Sequence, residues 1–167
     1  MDTLPVVAKE RPKASPKDVF LHLLGIITLY ASAGSLISLF FAYINLGMPD
    51  ALEGLRTYQA ESARNAIRFS ISALIVVFPA YLFTMRYLGK QYVRETWKRE
   101  LRIRKWLVYF TLFVAALILI GDVVSLVYNF LGGELTTRFV LKVFSVFCVV
   151  GAIFVYYFWD VKANTTE

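Results

Sequence analysis

Three charged side chains lie inside otherwise apolar stretches and are the first candidates for chemistry: Arg68, Asp122 and Lys142. A charge at mid-membrane costs at least ~2.5 kcal/mol on insertion scales, less near the interface, so such groups need partners, water or a task. Along a helix, Thr111, Ala115, Ile118, Asp122, Ser125 and Asn129 share one face, and Arg138, Lys142, Ser145, Val149, Ala152 and Tyr156 share another. Asp122 stands 16 residues past Trp106, about 24 Å along a helix axis. Lys142 and Arg68 reach a similar level from the other direction. Depth therefore predicts a cluster of Arg68, Asp122 and Lys142 in the outer leaflet, with Asp122 paired directly to Lys142. Arg64, Glu134 and Arg138 form a polar rim nearer water.

Two uses fit such a cluster. One is an ion-pair network that sets helix register; the other is a polar pathway for an ion, a proton or a lipid headgroup. Opposite charges at one depth satisfy each other, which favours the structural use. His22, near the end of the first apolar run, reads as a packing or interfacial residue rather than a ligand. Glu95 and Glu100 sit among cations as solvated counter-charges. Cys148 is the single cysteine, so neither an intrachain disulfide nor a thiolate metal site is expected. No HExxH, GxSxG, CxxC or phosphate loop occurs, so the expectation is no enzyme, no metal and no cofactor.

The elements that must carry these residues follow from composition. Of 167 residues, 58% are hydrophobic and 16% aromatic, with a mean hydropathy of +0.59. A soluble core of this size cannot bury that much apolar surface, so part of the solvent must be lipid. The pattern predicts an all-α bundle of four transmembrane helices, arranged as two antiparallel hairpins. Spans fall at about 19–46, 65–86, 106–131 and 139–159 within one domain, 18–160. A flexible basic tail, 1–17, precedes it, with Asp18 as helix N-cap, and a short tail, 161–167, follows. The segment 46–64 reads as a loop carrying a surface helical turn.

The residues Ala31-Ser32-Ala33 after the first apolar stretch also fit a cleaved signal peptide. Apolar character continues through Leu39, Phe40 and Phe41, which favours a retained span. Small residues recur at helical spacing in two spans, as Ala31, Ser35, Ser38, Ala42 and Asn45 and as Ala66, Ser70, Ala73, Val77 and Ala80, marking faces along which helices approach closely. Pro79 is an expected kink.

Net charge is +6, from 18 Lys and Arg against 12 Asp and Glu. The basic loop 87–105, with Arg94, Lys98, Arg99, Arg102, Arg104 and Lys105, holds much of the excess. With Arg86 and both tails it would put 13 of the 18 basic residues on one side, which by the positive-inside rule is cytoplasmic, termini included. Trp106, Tyr156, Tyr157 and Trp159 fall at that interface. The loop's least explanation is topology, with contact to anionic lipid headgroups as an added role. Nucleic acid is not an expected partner, because the aromatics have a better use in lipid.

The stretches RIRKWLVYFTLFVAALILIGDVVSLVYNFLGGELTTRFVLKVF, ESARNAIRFSISALIVVFPAYL and DVFLHLLGIITLYASAGSLISLFFAYI carry a resemblance to an uncharacterised family of small four-helix bacterial integral membrane proteins, a domain of unknown function. The resemblance implies a retained first span and a location in the cell (cytoplasmic) membrane of a bacterium. It implies no activity, cofactor or catalytic residue. The expected function is a non-enzymatic structural, accessory or sensing membrane component, alone, as a homo-oligomer or with another membrane protein. The alternative is a small oligomeric transporter or channel that uses the intramembrane charges.

Overall fold

The computed structural model describes residues 14–48, 53–133 and 135–165, without the side chains of 53–56, 99, 164 and 165. Four long helices account for nearly all of them: α1 (Pro16–Gly47), α2 (Glu53–Arg94), α3 (Arg102–Leu131) and α4 (Thr137–Thr165). A 3-10 turn, Thr96–Glu100, links α2 to α3. All four helices are long and apolar enough to cross a membrane. Large apolar side chains face outward on each of them, among them Ile27, Phe69, Val124 and Phe144. Hydrocarbon is the solvent in which such surface carries no penalty.

The helix ends follow capping rules and differ from the expected limits. Ser15, not Asp18, is the N-cap of α1; Asp18 is the N3 residue of a capping box whose carboxylate returns to the Ser15 backbone, with Pro16 in the first turn. Pro16 and Lys17 thus belong to the helix rather than to the tail. The segment expected as loop is largely helical, since α2 begins at Glu53. It remains helical through Pro79 to Arg94, so the basic connection is much shorter than 87–105. At the other end Gly133 adopts φ +72° after α3, a conformation glycine takes without strain. The Thr136 hydroxyl then accepts the Phe139 N–H and opens α4.

Packing gives two antiparallel hairpins. Lys17 donates to Tyr87 at 2.9 Å, joining the start of α1 to the end of α2. Arg104 and Asp160 join the start of α3 to the end of α4. α1 also packs on α4 and, less, on α3, whereas α2 approaches the backbone of neither α3 nor α4 among the described residues. Leu29, Val108 and Tyr157 form the buried centre, with Tyr81, Leu112 and Ile153 against it.

The small-residue face of α2 is realised through Ala66, Ser70, Ala73 and Val77, and then passes to Tyr81, Thr84 and Leu88 rather than to Ala80. On α1, Ala42 is buried as expected, but Ser32 takes the place of the outward Ala31. On α4 the inner face is rotated by one residue from the expected one. Val150, Ile153 and Tyr157 turn inward while Ala152 and Tyr156 face out, because this helix packs on α1 as well as on α3. Tyr157 therefore belongs to the core and not to the interface, where Trp106, Tyr156 and Trp159 remain outward.

Candidate functional site

At the basic end, where α1 and α3 begin and α2 and α4 finish, polar side chains from all four helices meet. His22 lies one turn after Asp18, and its Nδ1 is 2.6 Å from the Asp18 carbonyl oxygen. A carbonyl only accepts, so in the neutral ring Nδ1 carries the hydrogen and Nε2 is left to accept. The Tyr92 hydroxyl, 2.6 Å from Nε2, supplies that donor from α2. The Arg104 guanidinium lies 5.2 Å from the centre of the Tyr92 ring. It donates to both carboxylate oxygens of Asp160, at 2.9 and 2.7 Å. These groups line a cavity of about 350 Å³, closed by Ile26, Met85 and Tyr157.

The 3-10 turn seals the same end. Lys98 reaches Asp18 at 3.4 Å and Glu95 at 3.1 Å, and its ammonium lies 5.6 Å from the Trp97 ring centre. Desolvation alone would lower the Lys98 pKa, but hydrogen bonds to Glu95 and Asp18 outweigh it and raise the ammonium above the ordinary lysine value. Raised in this way, the contact is complete at neutral pH and is lost only as pH climbs through that raised value. Of the basic residues expected at this end, Lys98 and Arg104 are thus built into the fold. Arg94, Arg102 and Lys105 are exposed, and the Arg99 side chain lies outside the described residues.

The charges expected to cluster at the opposite end do not meet. Asp122 forms no ion pair with Lys142, and its Oδ2 is shielded yet has no hydrogen-bond partner among the described residues. The Lys142 ammonium instead lies 5.5 Å from the centre of the Phe41 ring on α1. Arg68 and Arg64 face outward from α2; the backbone of α2 runs beside α1 and not beside α3 or α4 among the described residues, and its side-chain contacts to them, at Tyr81 and Tyr92, lie towards the basic end. Glu134 lies outside the described residues. Arg138 is the rim residue that the fold engages, donating to Asn45 Oδ1 at 3.0 and 2.8 Å beside a second cavity of about 460 Å³.

Residues 18–157 match a family described as Domain of unknown function (DUF5671). The chain belongs to this family. The matched part of this DUF5671 chain contains Asp18, His22, Tyr92, Arg104 and Tyr157 and stops three residues before Asp160. No curated protein and no solved structure matches the chain.

The basic-end network escaped the sequence reading because His22 and Tyr92 are 70 residues apart. Depth gave no signal either, because Tyr92 and Arg104 fall in the segment 87–105 that reads as a loop, whereas α2 continues as helix to Arg94. Tyr92→Phe removes the donor to Nε2 and is expected to lower stability by about 1 kcal/mol, read as a lower melting temperature in lipid nanodiscs. An unchanged melting curve would detach His22 from the network.

Proposed function

We propose that this DUF5671 chain is a non-enzymatic accessory or sensing component of the cell (cytoplasmic) membrane of a bacterium, inserted four times with both termini and the basic end in the cytoplasm. The observation that supports it is the engagement of the basic-end polar groups with one another. His22 has both ring nitrogens occupied, Arg104 grips Asp160 bidentately, and Asp18 serves a capping box and an ion pair together. Groups bound in this way join helices and shape a cavity. A catalytic base or nucleophile would instead need an open position for substrate. The partners proposed are bilayer lipid, a second copy or another membrane protein.

The second reading, a small oligomeric transporter or channel using Arg68, Asp122 and Lys142, draws on one observation, the shielded Asp122 Oδ2 that has no hydrogen-bond partner among the described residues. Liposome flux separates the two. The accessory reading expects no ion or proton flow above that of empty liposomes, and the same for Asp122→Asn. Flow that Asp122→Asn abolishes would replace it with transport.

A further inference from the structure

Arg68, Asp122 and Lys142 stand at one level of the bundle although they do not meet within it. α1 and α3 both begin at the basic end and are joined by the Tyr30 hydroxyl, which donates to Thr111 Oγ1 at 3.0 Å. Phe41 follows Tyr30 by eleven residues and Asp122 follows Thr111 by eleven, so these two are level. The Lys142 ammonium lies against the Phe41 ring itself. On α2, Ala66 borders the same cavity as Ala42 of α1. Arg68 is two residues from Ala66, about 3 Å along the helix.

Lys142 has an aromatic partner; Arg68 and Asp122 form no ion pair among the described residues. Arg68 stands two positions from Ser70, which is fully buried against α1, and two positions turn a helix by about 200°. It is exposed and points away from the bundle. Asp122 falls within about 20° of the direction of Thr111, on the face where Thr111 and Ala115 are buried. At the level of Asp122 that face is not closed. The residue is half-buried, and Oδ2 has no hydrogen-bond partner among the described residues. Gly121 and Ser125 beside it are exposed, with open space around Gly121. Small residues of this kind let another helix come close enough for a guanidinium to reach a carboxylate.

Each of these charges is costly in hydrocarbon, and the fold holds them at one depth on faces that turn apart. An anionic lipid headgroup could pair with Arg68 but would meet Asp122 as a like charge. A second copy satisfies both, because in a closed symmetric assembly every Arg68 faces a neighbour's Asp122 and neither is left over. α2 and α3 run in opposite directions, so α2 of one copy lies antiparallel to α3 of the next when both copies share one membrane orientation. Ser72 of one copy then falls opposite Ile118 of the other, both exposed. Phe69 and Ile75 on α2 and Val124 on α3 supply outward apolar surface around the pair.

We propose that the chain self-associates in the membrane through the outward face of α2 and the Asp122 face of α3, with Arg68 of one copy paired to Asp122 of the next. This deepens the accessory reading by making a second copy the partner, and rests on that reading for the membrane location alone. Liposome flux tests the accessory role and subunit mass tests the interface, so each can fail without the other.

The test is native mass spectrometry of the full chain released from detergent micelles across a dilution series, in which more than one chain per particle is expected. Arg68→Asp and Asp122→Arg each set like charges across the interface and are expected to weaken association about tenfold or more. Mixed in equal amounts, the two variants are expected to associate with each other as the wild type does, a rescue that a pair within one chain could not show. A second measurement keeps both native charges. In a Cys148→Ser background, chains carrying Ser72→Cys and chains carrying Ile118→Cys are expected to form an intermolecular disulfide on copper-catalysed air oxidation only when mixed. A wild type that is monomeric at every dilution, association untouched by either reversal, or a mixture no more associated than its components would overturn the proposal. So would crosslinking of Ile118→Cys to a different membrane protein and not to Ser72→Cys, because another partner would then cover the Asp122 face. If a reversed variant fails to fold, the cysteine pair decides alone: the mixed disulfide upholds the interface and its absence overturns it.

Discussion

Arg104→Met is expected to be the most damaging single change at the basic end, lowering the stability of the folded bundle by about 2–3 kcal/mol. An exposed ion pair contributes roughly 0–1 kcal/mol, and breaking a fully buried one costs about 3–5 kcal/mol. With the two side chains 14% and 30% exposed, this pair lies between those limits. Neither charge suits its own helix. Arg104 occupies the first turn of α3 and Asp160 lies towards the end of α4, so each opposes the local dipole. What justifies them is their joint closure of the α3–α4 hairpin, with Arg104 also against Tyr92 and, through it, tied to His22. Asp160→Asn keeps hydrogen-bonding capacity and is expected to lose less. The double variant Arg104→Met/Asp160→Leu is expected to recover at least half of the loss, because no lone charge is left behind. Denaturant unfolding of wild type, Arg104→Met, Asp160→Leu and the double variant in one lipid composition measures this as a coupling energy. Equal midpoints for wild type and Arg104→Met would show that the pair carries no stability.

Ser70 gives the second large effect, with opposite signs for two substitutions. Its side chain is fully buried on the face of α2 that meets α1, and Oγ has no hydrogen-bond partner among the described residues. Ser70→Ala removes an unsatisfied hydroxyl and keeps the close approach, so it is expected to be neutral or stabilising by up to about 1 kcal/mol. Ser70→Leu drives three more carbons between the helices and is expected to cost about 1–3 kcal/mol. The same unfolding assay, with hydrogen exchange along α1 and α2, checks both. A Ser70→Leu protein as stable as wild type would remove the close contact from the account.

Hydropathy made the four spans legible because each contains a long apolar run, and the small residues pointed correctly to Ala42 and Ser70 as contact positions. The extent of α2 was not legible. Between Glu53 and Arg64 the chain is polar, and a search for residues that can face lipid passes over a stretch that forms a helix without them. The candidate site was legible in depth but not in azimuth. Counting residues put Asp122, Lys142 and Arg68 at one level, but level does not decide which helices are neighbours. Because the backbone of α2 runs beside α1 alone, Arg68 is turned away, and because α4 touches α1 as well as α3, Lys142 meets Phe41.

The length of α2 has a mechanical consequence. Its 42 residues extend about 63 Å, well beyond the ~40–45 Å of a bilayer with its headgroups. The helix is anchored at the basic end by Lys17 and His22. It is also held against α1 along the face from Ala63 to Leu88, so the two helices tilt together, and each degree of tilt at the basic end moves the far end of α2 by about 1 Å.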